Sequence, residues 1–141
     1  MDIAALVLST ITATVSAIAA ILTYLNGKKT AYGNIELQIR SMISEAKYHQ
    51  IQFAEKLSYD SENEYVKRQF AALNEELLNA YDEACAKYLD GKVDKERFRK
   101  MYFHEIKQLV ECDNYSNEYD KVSSRYIATI KVYQEWVNLE K

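Results

Sequence analysis

Proline is absent from the chain, and glycine occurs only at Gly27, Gly33 and Gly91. Proline removes a backbone donor and glycine releases the backbone, so a sequence almost without both has few points at which to turn and reads as long helices. The 141 residues give room for one domain beside a short appended segment. The formal charge of −3 provides no overall field for nucleic acid, so any case for RNA must rest on a local patch.

The first expected helix is Ile3–Leu25, IAALVLSTITATVSAIAAILTYL, which contains no charged residue. At about 1.5 Å per residue it reaches roughly 35 Å, against a hydrocarbon core of about 30 Å, and residues 1–27 therefore read as a single transmembrane helix. Asp2 precedes the run and Lys28 and Lys29 follow it. The positive-inside rule then places the N-terminus outside and residues 28–141 in the cytoplasm. Asp2 stands where a secretion signal carries positive charge, so the segment is expected to stay with the mature protein.

Around this helix the composition is uneven. At 100° per residue, Asp2, Ala5, Ser9, Thr12, Ser16, Ala19, Ala20 and Thr23 share one arc, while Ile3, Val7, Leu8, Ile11, Val15, Ile18, Ile21, Leu22 and Leu25 share the opposite one. The small, hydroxylated face has two uses: close helix packing through an Ala5, Ser9, Ala13 ladder, or the lining of a narrow polar pore in a ring of copies. Packing is the commoner of the two. Either use makes the chain a homo-oligomer, with membrane lipid around it.

Beyond the run, apolar residues recur at helical spacing in four stretches. From Thr30 to Ser58 they are Ile35, Ile39, Met42, Ala46, Phe53 and Leu57, with His49 filling a gap and expected in the core. A capping box of Ser61 and Glu64 opens the next helix, which carries Val66, Phe70, Leu73, Leu77, Tyr81, Ala84 and Tyr88 and stops at Asp90–Gly91. Asp94 caps a third, to about Asp113, with Phe98, Met101, Tyr102, Ile106, Leu109 and Val110. Tyr119, Val122, Tyr126, Ile130, Tyr133 and Val137 mark the last. The fold class is all-α, with an antiparallel four-helix bundle over residues 28–141. Its tyrosines, twelve in the chain, suit rings that bury apolar area while keeping the hydroxyl at the rim. Cys85 and Cys112 sit singly on helices and read as reduced thiols, neither a disulfide nor a metal site.

No phosphate loop, paired-cysteine signature or H-E-x-x-H motif is present, so no metal and no small-molecule cofactor is expected. The segment with chemical potential is KVDKERFRKMYFHEI, from Lys92 to Ile106. Lys92, Lys95, Arg97, Arg99 and Lys100 outweigh Asp94 and Glu96 there, a patch suited to RNA or phosphate, and His104 follows. Arg97 and His104, seven residues apart, share a helix face. Arg99 and His104, five apart, lie about 140° apart on an ideal helix.

Arg99 and His104 also spell R-x-x-x-x-H on a helix of a small all-helical domain, and in this the chain resembles the HEPN family. The resemblance implies metal-independent RNA cleavage, with His104 as general acid or base at a ribose 2′-hydroxyl and Arg99 neutralising the phosphorane. It also implies a composite site shared between two copies. Lys100 follows Arg99 where that family commonly has Asn, His or Asp. The combination of an apolar N-terminal helix with one HEPN-like bundle resembles the small membrane-anchored accessory proteins of type VI-B CRISPR systems. That likeness implies an antiviral accessory protein in the bacterial inner membrane, oligomeric and pore-forming or pore-gating, which reinforces an RNA-guided RNA-targeting effector nuclease. A tethered ribonuclease and a non-catalytic interaction module are the alternatives.

Overall fold

The computed structural model of the chain describes residues 3–57, 63–120 and 123–139, with side chains from Thr12 onward. Among these residues the structure is all-helical: α1 (Ile3–Lys56), α2 (Glu64–Leu89), α3 (Lys95–Glu111), a 3-10 turn (Asp113–Tyr115) and α4 (Ile127–Asn138). The chain divides into two compact units, residues 1–34 and 35–141, and α1 contributes to both.

The first unit corrects the expected membrane placement. Among the described residues no helix is long and apolar enough to cross a membrane. Thr12, Thr14, Ser16 and Thr23 dilute the apolar character of the described run, and Asn26, Gly27, Lys28 and Lys29 raise its polarity beyond Leu25. The single-pass inner-membrane assignment and the N-terminus-outside orientation derived from it are not upheld. Gly27 and Gly33 lie inside α1, with nothing within 4 Å of where a side chain would start.

In the second unit, helix ends follow local chemistry. Asn63 caps α2, its side-chain oxygen accepting from the Tyr65 amide at 2.8 Å. Ser61, the expected cap, lies outside the described residues. Gly91, at φ 66°, ends the helix in the left-handed region that disfavours any residue with a Cβ. Asp94 caps α3 as anticipated, accepting from the Arg97 amide at 2.9 Å.

The core gathers Ile39, Ile43 and Ala46 of α1, Tyr81, Ala84, Cys85 and Tyr88 of α2, Phe98, Tyr102 and Ile106 of α3, and Val132 and Trp136 of α4. Trp136 is its aromatic centre: Tyr88 meets it edge-on at 5.5 Å, with Phe103 at 5.9 Å and Phe98 at 6.2 Å. Such ring pairs contribute about 0.5–1.5 kcal/mol each beyond their buried area.

Several expectations differ from the structure here; Phe70, expected on the apolar side of α2, is 47 % exposed. His49 is half-exposed, and its Nδ1 pairs with Glu76 Oε1 at 2.9 Å, joining α1 to α2 from outside the core. The last helix starts at Ile127, well after Tyr119. Asp120 accepts from both the amide and the hydroxyl of Ser123, a side-chain turn that competes with helix. Tyr119 and Tyr126 still bury their rings, in a smaller cluster with Leu78.

Candidate functional site

The α3 patch is positioned by the inward set Phe98, Tyr102 and Ile106, which leaves Arg97, Lys100 and His104 exposed and Arg99 half-buried. Most of its cations have partners within the chain. Arg97 Nε lies 3.2 Å from Glu36 Oε2, a carboxylate largely sheltered from water. Lys100 Nζ donates to Glu96 Oε1 at 2.6 Å, and this bond raises the lysine pKa above its ordinary value. The Lys95 ammonium rests over the Tyr88 ring at 4.7 Å. A phosphate reaching this surface therefore meets cations already matched by carboxylates or rings.

Arg99 and His104 are related through Phe103. The guanidinium lies over the Phe103 ring at 5.6 Å, and the imidazole meets that ring edge-on at 5.4 Å. His104 also borders a shallow hollow of about 420 Å³ with Lys107, Gln108, Glu111 and Cys112. Arg97, the same-face alternative to Arg99, is engaged by Glu36 of α1 instead. Glu36 has no place in the sequence reading. Its signal would have been a carboxylate one residue after the core position Ile35, where a long-range cation can reach it.

The interhelical polar contacts explain how the bundle closes. Glu105 of α3 accepts from Lys47 of α1 at 3.1 Å and from the Tyr81 hydroxyl of α2 at 2.5 Å. Burial, then this bond, push the Tyr81 pKa well above the ordinary tyrosine range. The Tyr88 hydroxyl donates to Glu135 at 2.8 Å and accepts from Trp136 Nε1 at 3.1 Å. The hydroxyls of Tyr81 and Tyr88 are thus turned to carboxylates rather than to the wet rim. Between α1 and α2 an open groove of about 470 Å³ is bordered by Glu45, Glu75, Glu76 and Glu83. Of these, Glu76 faces His49, Glu75 faces Arg125 at 2.9 Å and Glu83 faces Lys87 at 2.8 Å. These pairings give Glu75, Glu76 and Glu83 partners within the chain.

The stripe on α1 has a different character. Ala5 and Ser9 lie outside the described side chains, while Thr12, Ser16 and Thr23 are exposed. Thr23 Oγ1 donates to the Ala19 carbonyl at 2.9 Å, so that hydroxyl is engaged by its own helix. On the other face Val15, Ile18, Ile21 and Leu22 are 55–60 % exposed and Leu25 is 53 % exposed. Contiguous apolar exposure of this kind marks an association surface.

No family model matches the chain, and the curated proteins and solved structures likewise yield no match.

Proposed function

We propose that the chain is a self-associating helical interaction protein: copies join through the first helix, and the bundle of residues 35–141 is the cargo that this association multiplies. The observation that carries the reading is the exposed apolar face from Val15 to Leu25, in contrast to a bundle whose own apolar residues are largely gathered into one core. An exposed face of that size is stabilised by removing it from water, at about 25 cal/mol per Å². The experiment is co-expression of a tagged and an untagged full-length copy. The untagged copy should be retained with its tagged partner, and its loss in the wash would count against the reading.

A second reading is favoured by the Arg99–Phe103–His104 arrangement and by the likeness to HEPN ribonucleases. This reading requires that the α3 helices of two copies meet, a pair of Arg99 and His104 sets then forming a composite site for RNA. Arg99 supplies charge to the scissile phosphate and His104 moves the proton of the 2′-hydroxyl. In this reading the chain is an antiviral accessory that works beside an RNA-guided nuclease. His104→Ala in the full chain should lower cleavage of single-stranded RNA by at least about a hundredfold, the scale of a lost general acid or base. Equal cleavage by wild type and variant would end the ribonuclease reading and leave the interaction protein standing.

A further inference from the structure

Independently of self-association, we propose that the hollow between α1 and α3 at Arg40 and Tyr102 binds a singly charged oxyanion on a small organic body, a carboxylate or a phosphodiester. Two ion pairs frame this face of the bundle. Glu36 of α1 meets Arg97 of α3 at 3.2 Å, and further along both helices Lys47 of α1 meets Glu105 of α3 at 3.1 Å. Arg40 lies between these pairs, one turn after Glu36 on α1. At its level α3 presents Met101 and Tyr102. Among the described residues no carboxylate pairs with the exposed Arg40 guanidinium, because the two framing carboxylates are taken by Arg97 and Lys47.

Tyr102 gives the same signal from the other side of the hollow. Its ring packs against Phe98 at 4.8 Å and Tyr81 at 6.5 Å, and the residue is 8 % exposed. Tyr81 and Tyr88, its neighbours in the core, give their hydroxyls to Glu105 and Glu135. Among the described residues the Tyr102 hydroxyl has no such acceptor. Burial raises its pKa and Arg40 works against that rise, so the hydroxyl lies on the guanidinium's side of the ring. A buried donor lacking an acceptor and a cation lacking an anion thus border one hollow of about 250 Å³. A single oxyanion satisfies both.

The walls of the hollow select the ligand's charge and body. Lys47 and Glu105 border it and neutralise each other, which leaves Arg40 as the source of excess positive charge. A second negative charge on the ligand would be repelled by Glu105. The guanidinium fork suits two oxygens of one group, and Ser44, one turn after Arg40, adds a hydroxyl. Ile43 and Met101 give the ligand's carbon body an apolar wall.

The test is ligand-observed NMR on the full-length chain with butyrate and dimethyl phosphate as probes. The near-ultraviolet signal of the buried Trp136 reports that the bundle is intact. Saturable binding of at least one probe is expected, and the probe that binds names the source of the oxyanion. Arg40→Gln should weaken that binding at least about tenfold and Tyr102→Phe at least about fivefold, the scale of lost hydrogen bonds to a charged group. Lys131→Gln, which removes an exposed cation from α4, should change it by less than about twofold. Methyl phosphate in its dianionic form should bind more weakly than the better probe, and tighter binding would overturn the single-charge assignment. The site itself is overturned if neither probe binds saturably, or if Arg40→Gln or Tyr102→Phe binds as wild type does with its bundle intact. Equal weakening by Lys131→Gln and Arg40→Gln overturns it too, since attraction to any surface cation would then suffice. Each of these results leaves self-association as it stands.

Discussion

The Cys85 thiol is wholly buried, and burial pushes its pKa from the ordinary 9.0 up to about 12. Tyr81 and Tyr119 are raised above their ordinary 10.0 for the same first reason, removal from water. The folded chain therefore holds these protons where the unfolded chain has released them. Stability is fully present below pH 9.0 and falls as pH rises, by about 1.4 kcal/mol per pH unit for each group in its window. Urea midpoints measured from neutral pH to about pH 11 should decline steadily, first from Cys85 and then from the tyrosines. Cys85→Ala should remove the earliest part of that decline, and an unchanged onset in this variant would show that the thiol is not its source. At this scale the sequence is informative about which rings are buried and silent about where their hydroxyls go. Tyr81 and Tyr88 lie on the apolar stripe read from spacing, but Glu105 and Glu135 reach them from residues far away in the chain. His49 shows the complementary error. Its spacing places it near the core, but Glu76 across the helix pair holds the ring at the surface.

Elements are legible where a single residue decides an end. Asp94 opens α3 and Gly91 closes the turn after α2, and both follow from side-chain and backbone chemistry within a few residues. The start of α4 is not of this kind. Its buried Thr129 gives both its amide, at 2.8 Å, and its hydroxyl, at 3.0 Å, to Asp82 Oδ1 on α2, so the helix is capped from another element. Apolar spacing through Tyr119 and Tyr126 suggests helix continuing there, and only the short Asp120–Ser123 turn marks the break locally, the cap on Thr129 coming from far away in the chain. Asp82→Ala should lower stability by about 1–2 kcal/mol in urea unfolding, the loss expected of a helix cap. A change within about 0.5 kcal/mol, the range of ordinary surface substitutions, would show that α4 starts at Ile127 for another reason. The first helix gives a similar lesson about period. Projected at 100° per residue it divides into a small and a large face, and attention falls on the hydroxyls. It is the large residues Val15, Ile18, Ile21, Leu22 and Leu25 that stand exposed.

For the whole molecule, the all-helical class and the core rings of Tyr81, Tyr88, Phe98 and Tyr102 were readable in the sequence, because a chain without proline and with regularly spaced apolar residues has few other ways to bury them, whereas Trp136, the centre of that core, lies outside the Tyr133 and Val137 spacing. The candidate site was only partly readable. Arg99 and His104 can be found as a motif, but their meeting at Phe103 and the capture of Arg97 by Glu36 depend on packing. The membrane placement failed because an uncharged run was equated with a span. Among the described residues no helix is long and apolar enough to cross a membrane, and what the run displays is an apolar helix face without a cover in its own unit. Self-association is the simplest way to remove that face from water, and it would also create the paired copies that a composite RNA site requires. The most direct measurement is the mass of the full-length wild-type chain at sedimentation equilibrium. The account predicts a discrete particle at a multiple of 16.4 kDa; a particle of 16.4 kDa at every concentration would contradict it.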